Sequence, residues 1–322
     1  MTLQAKQNVA NVDQQLLRAQ HLYQQSLQVA LSNEEVIALR LEITDVANDL
    51  LHYSEHRADA YNLLGRTALD EGFIDKAKLY LKKSIELSPN SADYQYSFGH
   101  LLLQEGEIHQ AIRYFEQAEQ HAPGQTRAQS SMAYCYLYLG KPEQAFLIYN
   151  QLIKTQPNDD HIKSKLFECC HLIKADFYNP TLANELLGYF SLSGVDYQQL
   201  HNLTSSMLLQ YFRKHNNLHL DQLTDCHLFV ASLEKLLFCN REMEIIIRMV
   251  RKQLLIECLQ NPDNFKRWHP LITAIAQQGL NNEFIWFIDP EESACLSKLN
   301  DSIDQACQSD FDCNFVASIL AI

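Results

Sequence analysis

The chain has 322 residues, only 9 glycines and 8 prolines, and a formal net charge of −13. That acidity argues against a nucleic-acid surface, which needs a basic face. With no sustained alternation of β-branched residues, the scarcity of glycine and proline predicts a nearly all-α fold.

The start, MTLQAKQNVANVDQQ, has no apolar core of signal-peptide length, and no apolar run approaches the ~20 residues of a membrane span. The 9 cysteines are odd in number and lack C-x-x-C spacing, which fits reduced thiols rather than a disulfide framework. A cytoplasmic location is therefore expected.

In chain order, residues 14–32 and 34–56 show helical apolar spacing, through Leu16, Leu17, Ala19, Leu22 and then Val36, Leu39, Leu41, Val46, Leu50. They are expected to form a degenerate hairpin capping the helices downstream. The pentad His52-Tyr53-Ser54-Glu55-His56 matches H-x-x-E-H, a zinc pattern when two imidazoles lie one helical turn apart. It has no evident third ligand, so a solvated helix end is the reading taken and no metal or cofactor is assigned.

From residue 58 a register appears. Gly72, Gly106 and Gly140, then Ala77, Ala111 and Ala145, then Pro89, Pro123 and Pro157 each recur at intervals of 34. Gly65 and Gly99 continue as Ala133. This pattern resembles tetratricopeptide repeats, pairs of antiparallel helices that stack into a superhelix. In the first unit the helices are expected at 58–71 and 74–87, with Gly72 as a left-handed helix end and Pro89 as the stop. Gly65 and Ala77 are expected at the closest helix approach. The predicted organisation is a cap over 1–57 and repeats at 58–91, 92–125 and 126–159. A capping helix at 160–174 and a helical domain over 175–322 complete it.

In such arrays the first helices line the concave side. The candidate partner-binding residues there are Asn62, Arg66, Tyr96, His100, Gln104, Arg127, Tyr134 and Tyr138, with Asp59, Asp70, Leu103 and Ser130 beside them. Aromatic rings, amides and both charge signs suit a protein or peptide ligand, because Tyr and Arg combine contact area with directed hydrogen bonds. The alternative is a groove filled by the chain's own downstream helices. The set lacks the lysine and asparagine cluster that clamps a C-terminal carboxylate.

Beyond residue 176 the register ends, but helices are expected over 180–190, 197–215, 220–239, 243–260 and 269–279, packed as a bundle. Vicinal Cys169-Cys170 read as part of a buried helix face. His215, His219, Asp221 and His227 are the remaining metal candidates. Trp268 and Trp286 are expected to pack the bundle. Arg241, Arg248 and Lys252 share one helix face, either solvated or an interface.

NPTLANELLGYFSLSGVDYQQLHNLTSSMLLQYFRK, EMEIIIRMVRKQLL and ITAIAQQGLNNEFIWFIDPEE resemble the helical connector of bacterial proteins that carry N-terminal tetratricopeptide repeats and a C-terminal S-adenosylmethionine-dependent methyltransferase domain. The residues that carry this are Glu244, Arg251-Lys252 and Leu254-Leu255. Ala276, Gln277, Asn282, Glu283, Phe284 and Glu291-Glu292 add to it. The resemblance implies a methyltransferase partner domain, expected near where this chain stops at Ile322. No G-x-G-x-x-G or G-x-x-x-x-G-K-[ST] occurs. The expected function is thus a non-catalytic docking module, without cofactor, that binds a protein or peptide. A metal-dependent enzyme in the second half and a structural homo-oligomer are the rivals.

Overall fold

The computed structural model describes residues 3–28, 30–215, 219–261, 264–283 and 288–307, and among these all regular structure is helical. The chain divides into two compact units, Met1–Leu152 and Ile153–Ile322.

The first unit holds α1 (Leu3–Ser26), α2 (Asn33–Leu50), α3 (Arg57–Asp70), α4 (Ile74–Leu87), α5 (Ala92–Gln104), α6 (Ile108–His121) and α7 (Thr126–Tyr138). Helix α8 (Pro142–Thr155) runs across the division. Consecutive helices pair as hairpins, α3 with α4 and α5 with α6, in the superhelical manner of the repeats.

The register has a physical cause at each position. Gly72, Gly106 and Gly140 take φ values of 81°, 81° and 68°, a left-handed conformation that side chains other than glycine's resist. Each closes its helix in the same way. Gly72 N–H donates to the Leu69 carbonyl at 3.0 Å, and the next residue, Phe73, donates to Ala68 at 2.8 Å. The pairs Gly106–Leu103 with Glu107–Leu102, and Gly140–Leu137 with Lys141–Tyr136, repeat it at 2.9–3.1 Å. These bonds satisfy carbonyls that a helix end otherwise leaves bare. Pro89, Pro123 and Pro157 each stand two residues beyond the end of a second helix, where a missing N–H costs nothing.

The small residues mark the crossing between the helices of a hairpin, with one refinement. Gly65 lies against Leu81, one turn beyond the expected Ala77, and Gly99 lies against the Phe115 ring. Ala77, Leu81, Ala111 and Phe115 have no exposed surface and belong to one core with Phe98, Leu101 and Cys135. Both Leu81 and Phe115 therefore need a glycine opposite them.

Upstream, α1 and α2 form a hairpin stacked on α3 through Ala19, Tyr23, Ile43, Ala47, Leu63 and Leu64. Ser32 and Glu35 cap α2 reciprocally, and the Ser32 backbone N–H holds the Glu35 carboxyl below its usual range. The second cap helix ends at Leu50 rather than running to residue 56. After Leu51 nothing apolar remains to bury: His52, Tyr53, Ser54 and Glu55 are exposed, and the chain turns. The H-x-x-E-H pentad is consequently not helical, and its two imidazoles do not share a helix face.

The second unit contains α9 (Asp160–Leu172), α10 (Pro180–Tyr189), a 3-10 turn (Tyr197–Leu200), α11 (His201–Lys214), α12 (Leu220–Asp225), α13 (His227–Lys235), α14 (Arg241–Gln260), α15 (Asn264–Arg267), α16 (His269–Asn281) and α17 (Pro290–Cys307). Asp159, Asn179 and Asn240 accept backbone N–H bonds at the starts of α9, α10 and α14. The helix expected over 220–239 is broken at Cys226. Leu220 and Leu223 would face roughly opposite to Phe229 and Leu233 on one straight helix, yet all four are buried. The break turns both sets into the core. Cys169 and Cys170 are fully buried, and burial pushes both thiols up, Cys169 to about 12.

Helix α17 was not anticipated from the sequence, although Asp289-Pro290-Glu291-Glu292 is a helix-start pattern. Charged side chains meet where it contacts α14. Arg251 Nε donates to Glu292 Oε1 at 2.5 Å with both side chains almost wholly buried. Lys252 Nζ lies 3.0 Å from Asp289 and 2.6 Å from Glu291. The Glu292 backbone N–H, then Lys252, draw the Asp289 carboxyl below its ordinary range.

Candidate interaction face on the first helices

Helices α1, α3, α5 and α7 pack side by side, so the first helices of successive hairpins form one layer. Residues 34 apart fall into rows across that layer: Arg66, His100 and Tyr134; Asp70, Gln104 and Tyr138; Asn62, Tyr96 and Ser130. The rows do not offer equal access to a ligand.

At the α1 end the face is occupied from within. The Arg66 guanidinium stacks 3.9 Å from the centroid of the Tyr23 ring, whose hydroxyl donates to Asp70 Oδ2 at 2.7 Å. Burial raises the Tyr23 hydroxyl to about 12, so it stays a donor. Arg40 donates to the Asp70 carbonyl at 3.3 Å. Asn62 is buried, and its Oδ1 has no hydrogen-bond partner. Asp59 accepts from the Tyr94 hydroxyl at 2.7 Å.

Toward α7 the face opens. Tyr96 is half-buried on the Phe115 ring at 5.6 Å, and Arg127 stands 5.1 Å over its outer side while reaching Asp93 at 2.9 Å. An Arg on an aromatic face keeps its planar fork presented and loses little water. Gln104, Tyr134 and Tyr138 are exposed, Tyr138 by 67%. His100 is half-buried between these ends. Burial holds its imidazole below the ordinary range, opposed by Asp70 and assisted by Arg66. A neutral imidazole here offers one donor and one acceptor rather than a charge.

Five of the eight candidate residues, Tyr96, Gln104, Arg127, Tyr134 and Tyr138, are thus brought together on the accessible part. Arg66 is used within the fold, and Asn62 is buried. Sequence reasoning missed Tyr23 because α1 lies outside the 34-residue register, so no spacing pointed to it.

The other candidates find structural employment. Trp268 is buried and donates from Nε1 to Asp221 at 2.8 Å, with Arg267 also on that carboxylate. Trp286 lies outside the described residues. His56 faces Asp13 at 2.9 Å. Among the described residues no three His, Cys, Asp or Glu side chains converge as a metal site would need. No helix among them is long and apolar enough to cross a membrane. On α14, Arg251 and Lys252 turn to the start of α17, where Glu292, Asp289 and Glu291 meet them.

Comparison with known proteins agrees with the register. No curated protein matches the chain. Among solved structures, MamA shares 16% identity over 59% of this chain and 100% of its own, with a TM-score of 0.40. YrrB, described as a TPR protein with an unusual peptide-binding site, shares 14% over 57% of this chain and 91% of its own, at 0.41. Naa15/Naa10 bound to HypK shares 12% over 93% of this chain and 43% of that one, at 0.46. Likenesses this distant add nothing to what the helices already establish. Family profiles do: residues 58–91 and residues 102–166 each match the tetratricopeptide repeat, and these stretches are tetratricopeptide repeats.

Proposed function

We propose that the chain is a non-catalytic docking module that binds a protein or peptide in the groove of its first helices. The observation that carries this reading is the open cluster of Tyr134, Tyr138, Gln104 and the Arg127–Tyr96 pair on α5 and α7. Exposed rings backed by a stacked arginine are what interaction hot spots use, and repeat arrays generally serve as binding surfaces. Because Tyr23 takes up both Arg66 and Asp70, the ligand engages the second and third repeats.

Replacing Tyr134 and Tyr138 together by alanine should weaken partner capture at least tenfold, as hot-spot truncation does. Both are exposed, so thermal unfolding should stay unchanged. Isothermal titration with the captured partner checks this, and wild-type affinity in the double variant would reject the groove. Tyr96 is a poorer choice, since its ring also packs on Phe115.

Two finer readings belong to the same proposal. The free thiols of Cys135, Cys169, Cys170, Cys226 and Cys258 support a reducing compartment such as the cytoplasm. The connector resemblance supports a methyltransferase as the enzyme this module serves. Two of the residue pairs that carry the resemblance, Arg251-Lys252 and Glu291-Glu292, meet each other in the second unit.

A further inference from the structure

In the second unit a cavity of about 560 Å³ opens between α11, α12 and α14. Its apolar lining comes from Leu209, Phe212, Leu223, Ile246, Met249 and Val250. The size falls within the range of small-molecule sites, which combine apolar walls with a few fixed polar groups.

The polar groups decide what such a molecule could be. Arg213 and Glu242 both line the cavity, and they pair with each other at 2.8 Å. The two charges on the lining thus offset each other. His219 and Gln253 also line the cavity, and so does His215. Its Nδ1 lies 2.8 Å from the Tyr211 carbonyl, an acceptor, so Nδ1 carries the proton. The Tyr211 ring, tilted by 39° with its centroid 4.5 Å away, packs against the imidazole. With Nδ1 committed to the fold, Nε2 is the ring atom left to a ligand, and on a neutral imidazole it accepts from a hydroxyl.

We propose that this cavity binds a neutral apolar molecule bearing one hydroxyl, which donates to His215 Nε2. The site is independent of the repeat groove, so either proposal can fail alone.

The test uses the full chain and Nile red, a neutral apolar dye whose fluorescence reports the site, with octan-1-ol, octanoate, octylamine and methyl octyl ether as competitors. Saturable 1:1 binding is expected, with octan-1-ol displacing the dye at about tenfold lower concentration than either charged competitor. The ether, which cannot donate, should be weaker than the alcohol by about fivefold, the worth of one net hydrogen bond. His215→Phe should abolish that last difference. Gln253→Trp, at an exposed position on the lining, should reduce dye affinity without altering the unfolding temperature. Dye binding that does not saturate, displacement by octanoate or octylamine as good as by the alcohol, or an alcohol preference that survives His215→Phe would each overturn the proposal.

Discussion

Replacing Glu292 by alanine should destabilise the second unit by about 3–5 kcal/mol. The pair it forms with Arg251 is buried on both sides, with 3% and 1% of the side chains exposed. Removing one partner leaves a charge where water cannot reach it, and that penalty exceeds whatever the pair contributes when intact. Arg251→Ala should cost a similar amount for the opposite reason, a stranded carboxylate. The double variant Arg251→Met with Glu292→Leu separates charge from packing. Replacing a buried pair by apolar residues of similar volume is often neutral or stabilising, so this variant should unfold close to wild type. Chemical denaturation followed by circular dichroism reads all three. If Glu292→Ala unfolds like wild type, α17 is not held on α14 by this contact. The neighbouring Lys252 contacts are more exposed, and their loss should matter far less.

Gly65→Val should destabilise the repeat unit by about 1–3 kcal/mol or more, although it removes a poor helix former. A Cβ at Gly65 would sit 2.6 Å from both Cγ and Cδ2 of Leu81 and 3.2 Å from its backbone nitrogen. Leu81 is fully buried and its backbone is helical, so neither can move aside. Replacing a helical glycine by alanine gains up to about 1 kcal/mol of propensity, too little to offset the overlap. The contrast is Gly188 in α10, where an added Cβ would meet nothing within 4 Å. Gly188→Ala should therefore stabilise slightly. Opposite signs at two helical glycines are the signature expected. Equal signs would mean that Gly65 does not sit at a helix crossing.

The legible part of this chain was whatever repeats. The glycine, alanine and proline rows placed helix ends within a residue or two and hairpin crossings within a turn, because each position answers one local steric demand. The cap helices were legible in kind but not in length, since apolar spacing says little about where burial stops, as at Leu51. Longer-range choices were hidden. Whether 220–239 is one helix or two depends on which faces the core recruits. That Arg251 would find Glu292 across 41 residues is set by the packing of α17, an element the sequence announced only through its start. The interaction face was half legible: the register picked its rows, but not that Tyr23 from the cap would engage Arg66. Nothing in the spacing marked the cavity beside His215.

Whether the partner lies along the first helices of the second and third repeats is tested most directly by site-specific photocrosslinking in cells. The photoreactive residue p-benzoylphenylalanine is placed at Gln104, at Tyr138 and, for comparison, at Leu79, which is exposed on the second helix α4. Adducts with one common protein from positions 104 and 138, and none from 79, are the predicted result. Adducts from 79 with 104 and 138 silent would contradict it.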